Sequence, residues 1–294
     1  MDRRSFIARS SMIAAAAFAA GCSREAEKSG ALMTTAAPLG LQLYTVRDLM
    51  AEDLAATLEL VASVGYREVE FAGYFETSPQ DVRRHLDSTG LRAPSAHIGY
   101  EAFAANVDAV IEHAVAVGHE FVVVPSVPED QRARLDDYLR HAENFNRWSE
   151  ACRNGGLRFG YHNHEFEFTG IDGRIPYDVL LSETDSKNVE MELDLAWARA
   201  GNADPLKYFE AWPGRFSLCH IKDLDASGKE ADIGEGDVAF ERIFASAKQA
   251  GLQHGFVERD HPADARESIR QNFDAINALW SEYMSGNEER TPTS

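Results

Sequence analysis

Carboxylates and imidazoles crowd the ends of short apolar runs in the second half of this 294-residue chain. One run ends in Tyr161-His162-Asn163-His164-Glu165-Phe166-Glu167, and the next in Glu190-Met191-Glu192-Leu193-Asp194 with Trp197 just beyond it. Then come His220-Ile221-Lys222-Asp223 and Phe256-Val257-Glu258-Arg259-Asp260-His261. Earlier runs end with Gln42 and Tyr44, near Glu70, and in His97. Gathered at one place, these groups would repel one another without a counter-ion, and a divalent cation supplies it. Mixed carboxylate and imidazole ligands suit Mn, Co, Zn, Fe or Mg. Plainer roles compete. Asp194 could cap a helix. His162 and His164 share a strand face by period two, so either could fill a protein interior. Trp197 suits a core as well as a sugar-stacking platform.

The elements that must gather these residues repeat one unit. A helical pattern ends in Gly and a short apolar run starts at once, as at Gly65, Gly90, Gly118, Gly156 and Gly251. Such a Gly closes a helix in the left-handed conformation. Strands are expected near 39–45, 67–72, 92–97, 120–125, 157–163, 189–194, 216–221 and 254–258. Helices are expected over 52–64, 79–88, 101–117, 132–153, 177–181, 205–211, 240–250 and 264–283. Strict βα alternation, eight times, predicts an α/β fold: a single-domain (β/α)8 TIM barrel over 38–284. A doubly wound sheet fits less well, because no Gly-rich phosphate loop follows the first strand. Barrel active sites lie at the carboxyl ends of the strands, where the polar residues fall.

Five motifs then carry a family resemblance. They are Tyr161-His-Asn-His with Glu167-Phe168, Glu192-Leu-Asp194 with Trp197, His220-Ile-Lys-Asp223, Gly234-Glu-Gly-Asp237, and Val257-Glu258 with Asp260. From about residue 38 to about 280 the chain resembles the sugar phosphate isomerase/epimerase family of xylose isomerase-like TIM barrels. The resemblance implies a metal set of Glu167, Asp194, His220 and Glu258. The strand-five ligand stays open between Glu167, Glu165 and a histidine of the run. The implied chemistry is proton removal beside a sugar carbonyl, through an enediolate, giving isomerisation or epimerisation of a keto-sugar or related carbohydrate. In that reading His164 transfers the proton, Lys222 polarises or positions oxygens, and Glu258 is both ligand and base. Gln42, Tyr44, Glu70, His97, His162 and Trp197 shape the substrate pocket. The alternative is a metal-dependent lyase or hydratase acting on 3-keto-glycosides. A resemblance to endonuclease IV would need more histidines and a basic groove, and a non-catalytic sugar-binding lipoprotein would not need the ligand set.

Composition narrows the partners. Hydrophobic residues make up 44%, ample for a core, and the net charge is -19. A surface that acidic repels phosphate backbones, so a small carbohydrate is the expected partner and nucleic acid is not; homo-oligomerisation stays open. Asp2-Arg3-Arg4-Ser5-Phe6-Ile7, an apolar stretch from Met12 to Ala20, and Ala19-Ala20-Gly21-Cys22 have the parts of a twin-arginine export signal with a lipobox over residues 1–21. Cys22 would then be lipidated, residues 22–37 would be a flexible tether, and 285–294 a tail. The expected location is periplasmic, with the membrane reached only through that anchor. Such an address, and the lack of a phosphate cradle, favour a free or glycosidic sugar. Cys152 and Cys219 are expected as buried free thiols.

Overall fold

The computed structural model describes residues 37–285. The expected export signal, Cys22, the tether up to residue 36 and the tail from 286 lie outside the described residues. Eight parallel strands close into a barrel in the order β1-β10-β7-β6-β5-β4-β3-β2. They are β1 (Gly40–Gln42), β2 (Glu68–Phe71), β3 (Arg92–His97), β4 (Phe121–Val124), β5 (Arg158–His162), β6 (Val189–Asp194), β7 (Leu218–Ile221) and, eighth in the barrel, β10 (His254–Val257). Two short strands, β8 (Asp223–Leu224) and β9 (Glu230–Ala231), form an antiparallel hairpin beyond β7. The helices are α1 (Arg47–Glu52), α2 (Leu54–Val64), α3 (Pro79–Thr89), α4 (Tyr100–Val117), α5 (Leu135–Asn154), α6 (Pro176–Glu183), α7 (Leu195–Ala200), α8 (Pro205–Ala211), α9 (Phe240–Phe244), α10 (Ala247–Ala250) and α11 (Ala265–Ser285). This is the expected (β/α)8 barrel.

Local chemistry sets the element ends. Ser78 accepts a hydrogen bond from the Asp81 amide at 3.2 Å and Pro79 starts α3, as the sequence pattern suggested. Gly118 closes α4 at φ 92°, where its amide bonds the Ala114 carbonyl at 3.0 Å. β1 is shorter than expected. The Gln42 side chain accepts from the Tyr44 amide at 3.0 Å and bends the chain into a 3-10 turn over Leu43–Val46, which leads into α1. The unexpected helix α7 follows from a cap: Asp194 Oδ1 accepts from the Trp197 amide at 2.8 Å. The hairpin is gripped by Asp223, which accepts from the amides of Leu224 (2.9 Å), Val238 (3.0 Å), Gly234 (3.1 Å) and Gly236 (3.2 Å). A methyl group on Gly236 would collide with that carboxylate.

The main apolar core lies between the outer faces of the strands and the helices, and Cys152 and Cys219 are buried in it as free thiols. Inside the barrel the apolar filling is a separate plug of Phe121, Val123, Leu218 and Phe256. An ionic layer closes the end below the plug. There the buried Glu68 pairs with His254 Nδ1 (2.8 Å) and Arg92, while Arg158 bridges Glu190 and Glu120. The alternation of β6 shows the layering: Glu190, Glu192 and Asp194 share one face and rise from that floor to the mouth. The last helix holds the barrel seam. Trp280 Nε1 donates to the Pro38 carbonyl at 2.9 Å, and the Tyr66 hydroxyl donates to the Ile269 carbonyl at 3.0 Å.

Candidate metal centre and cleft

Above the apolar plug, β5, β6, β7 and the end of β10 bring one ligand atom each from His162, Asp194, His220 and Glu258 within 4.8 Å of one another. All four residues are buried. His162 Nδ1 lies 3.1 Å from the Pro125 carbonyl, so that nitrogen carries the proton and Nε2 presents its lone pair inward. His220 Nε2 lies 2.8 Å from Glu70, which turns Nδ1 toward the same point. A ring nitrogen held by a carboxylate or carbonyl behind the ligand atom is the usual support of a metal-binding histidine. Asp194 spends Oδ1 on the α7 cap, and its buried Oδ2 accepts no hydrogen bond from any described residue.

These atoms demand positive charge. His162 Nε2 stands 3.1 Å from His220 Nδ1, and His220 Nδ1 stands 2.8 Å from Glu258. Burial opposes a charged His220, yet the neighbouring Glu192 and Glu258 carboxylates push its pKa well above the usual value. Burial also opposes a charged Asp194, but Lys222 and His162 hold its pKa down at about 2. The site thus pulls in a cation: a proton on His220, or a metal ion. Two imidazoles and two carboxylates fit Zn, Mn, Co or Fe, with Mg the least suited to the nitrogens.

Glu167 does not join this group. β5 ends at His162 and the chain turns, so Glu167 falls in a 3-10 turn over Phe166–Phe168. There its buried carboxyl accepts from the Tyr161 hydroxyl and, at 2.8 Å, from the His164 amide. Burial raises its pKa to about 8. Of the alternatives left open at the fifth strand, the geometry brings a histidine, His162, rather than Glu167 to the group. Gln42 and Glu70 are likewise displaced from the pocket wall. Both are fully buried beneath it, where Gln42 Nε2 donates to Glu70 at 2.6 Å and Ser95 adds a further bond. Glu70, His97, Glu192 and His220 form a second buried group sharing His220. His97 Nε2 sits 2.6 Å from Glu192, whose pKa burial and the nearby Glu70 raise well above the carboxylate range.

The group opens into a cleft of about 340 Å³ lined by Tyr44, His97, His162, His164, Trp197, Lys222 and Glu258, with Asp260 and His261 also on its wall. The expected pocket residues Tyr44, His97, His162 and Trp197 therefore meet the expected catalytic residues here. Lys222 is buried to its ammonium, which reaches Asp260 (2.8 Å), Glu258 (2.9 Å), Asp194 (3.4 Å) and Glu230 (3.8 Å). Burial works against that charge, but Glu258, Asp194 and Asp260 keep it fixed. Lys222 Nζ also lies 4.9 Å from the Trp197 ring centre. Burial, and then the neighbouring His162, lower His164 to about 3, so its imidazole is neutral at physiological pH. Asp260 was not singled out as a site residue. Burial and the adjacent Glu258 raise it to about 8. Its spacing of two from Glu258 along the same strand direction was the available signal.

A closed βα barrel whose later strands converge imidazoles and carboxylates on a cleft defines a class of TIM barrels with a polar site at the carboxyl ends of the strands. Within it, the chain belongs to the xylose isomerase-like TIM barrel family, whose model matches residues 58–279. A comparison with curated proteins returns no match. Among solved structures, the chain is similar to a sugar phosphate isomerase/epimerase from Parabacteroides distasonis, with 27% identity and TM-score 0.73, covering 86% of this chain and 97% of that one. A second protein of that description and organism gives 24% identity and TM-score 0.70, covering 87% and 99%. An IOLI protein described with a bound zinc atom shares the fold at 15% identity and TM-score 0.69, covering 84% and 99%.

Proposed function

We propose that the chain is a divalent-metal-dependent enzyme that isomerises or epimerises a keto-sugar or related carbohydrate. The observation that carries this reading is the convergence of His162, Asp194, His220 and Glu258 at the floor of the cleft, where Asp194 Oδ2 accepts no hydrogen bond from a described residue. Bound by those four residues, a divalent cation supplies a Lewis acid that makes the C–H beside a sugar carbonyl acidic. His164, on the cleft wall, is the proton-transfer group in this reading. Lys222 keeps its ammonium and donates to the developing enediolate oxygen. His97 and Trp197 position the ring. Return of the proton to the neighbouring carbon isomerises the sugar, and return to the opposite face epimerises it.

Asp260 favours a second reading, elimination from a 3-keto-glycoside. Asp260 stands on the cleft wall 2.8 Å from the Lys222 ammonium, and this pair can pass a proton to a departing substituent. Residues 2–22 support export and a lipid anchor at Cys22, which we include in the proposal. The test is metal analysis of the purified protein, followed by a screen of keto-sugars and oxidised glycosides with manganese present. Retained metal and a turnover that His220→Ala lowers by at least about a hundredfold are expected. A metal-free protein whose turnover His220→Ala leaves unchanged would sink the idea.

A further inference from the structure

The cleft wall says more about the substrate than the metal group does. Tyr44 and Val115 are the exposed large hydrophobic residues among the described residues, and Tyr44 stands at the cleft mouth with 40% of its surface open. An exposed aromatic ring is normally free to change rotamer, but this one is braced. The Arg47 guanidinium lies 4.2 Å from the centre of its ring. Arg47 Nη1 also donates to the Tyr44 carbonyl at 2.8 Å and to the Asp260 carbonyl at 2.7 Å, tying the loop after β1 to the loop after β10. A rigid aromatic face held at the rim of a polar pocket is a platform for the flat face of another ring.

Trp197 provides a second, deeper face. It follows β6, three places round the barrel from β1, with the Lys222 and Glu258 side chains arising from the strands between them. Its indole is braced by the Lys222 ammonium, 4.9 Å from the ring centre, and by the His164 ring, 6.0 Å away at 28°. The cleft thus has an inner aromatic face close to the metal group and an outer one at the mouth.

Its charges point the same way. Lys222 is the cation on the cleft wall, and four carboxylates already surround it. His261, at the rim, faces Glu230 at 3.5 Å. A phosphate dianion entering here would meet Glu258, Asp260 and Glu230 with no unpaired cation among the described wall residues to receive it.

We propose that this cleft selects an unphosphorylated sugar bearing a second ring, with the reacting ring against Trp197 and the second, glycosyl or aryl, ring on Tyr44. This rests on the carbohydrate reading above and separates the chain's substrate from the sugar phosphates named for its structural relatives. The probes are methyl β-glucoside, phenyl β-glucoside and glucose 6-phosphate. Each is titrated calorimetrically into manganese-loaded full-length protein, wild type and with Tyr44→Ala or Tyr44→Phe. The phenyl glucoside should bind about tenfold more tightly than the methyl glucoside. Tyr44→Ala should erase most of that phenyl-to-methyl ratio, and Tyr44→Phe should restore it. Glucose 6-phosphate should bind more weakly than either. A phenyl advantage that survives Tyr44→Ala, or glucose 6-phosphate binding as well as the methyl glucoside, overturns this inference and leaves the carbohydrate reading standing. Failure of all three probes to bind the metal-loaded protein also overturns this inference, while the carbohydrate reading falls only if the keto-sugar screen shows no turnover.

Discussion

His162 and Glu167 differ by five positions and by everything that surrounds them. His162 is the last residue of β5 and points into the barrel, with its Nδ1 fixed on a carbonyl. Glu167 comes after the turn and is spent on Tyr161 and the His164 amide. His162→Ala should therefore lower metal affinity at least about a hundredfold, by removing a ligand outright, whereas Glu167→Gln should leave metal affinity within about threefold. Calorimetric titration of the metal-free proteins with manganese decides this, and loss of metal in Glu167→Gln would restore the ligand set expected from the resemblance. Glu70 acts one step removed, through His220. Because Glu70 holds Nε2 and leaves Nδ1 for the ion, Glu70→Gln should weaken manganese binding by roughly 10- to 100-fold, a typical cost of losing an outer-shell carboxylate. Unchanged affinity would mean that Glu192, 3.4 Å from the same nitrogen, orients the ring instead.

The strand-end residues were legible in the sequence because period two and the barrel rule place them together. That logic found Asp194, His220, Lys222 and Glu258 and put Tyr44, His97 and Trp197 on the pocket. It could not find the turn after His162, because Asn163, His164 and Glu165 carry no Gly or Pro to announce where the strand stops. It also could not tell wall from floor. Gln42 and Glu70 lie at or next to strand ends as read, but their side chains are fully buried and bond one another beneath the cleft.

At the scale of elements, Asp194 joins two jobs that the sequence offered as alternatives. One oxygen caps α7 and the other faces the metal group. Asp194→Asn keeps an oxygen for the cap and gives up the charge. Its melting temperature without metal should stay within about 3 °C of wild type, while manganese affinity falls at least about tenfold; Asp194→Ala should lose both, with a cap worth about 1 kcal/mol. A melting temperature for Asp194→Asn as low as that of the alanine variant would show that the cap needs the carboxylate. A histidine far from the centre joins two other segments. His119, at the start of the β4 segment, donates from Nδ1 to the Ala93 carbonyl of β3 at 2.7 Å and accepts from the Tyr74 hydroxyl at 3.0 Å. Burial depresses its pKa to about 4 from 6.5. The unfolded chain therefore takes up this proton first as pH falls. The contribution is whole above pH 6.5 and is lost as pH drops toward 4, by about 3 kcal/mol in all. Urea unfolding at pH 7 and pH 5 should show wild type losing about 2 kcal/mol more than His119→Gln. Parallel losses in the two proteins would assign the pH dependence elsewhere.

For the whole molecule, the metal group is a store of unfavourable charge that an ion relieves. Two carboxylates and two imidazoles, all buried, face one point. At about a thousand times its dissociation constant, an ion bound only by the folded state adds about 4 kcal/mol. In a barrel of this size that corresponds to roughly 10 °C. Manganese or zinc should raise the melting temperature of the stripped protein by that order, chelator should reverse it, and His162→Ala should abolish the rise. A melting temperature indifferent to both would remove the metal from the account.

The seam of the barrel has a consequence in time. β1 meets β10 through only two paired positions, Gly40 with Phe256 and Leu41 with Val257, and α11 locks that junction through Trp280 and Ile269. A ribosome delivers β1 first and α11 last. The opening strand must wait, one edge unpaired, until nearly the whole chain has been synthesised. Closure is then a late event, and a chain cut before Ala265, which keeps β10 but lacks the α11 lock, should be more protease-sensitive than the whole chain.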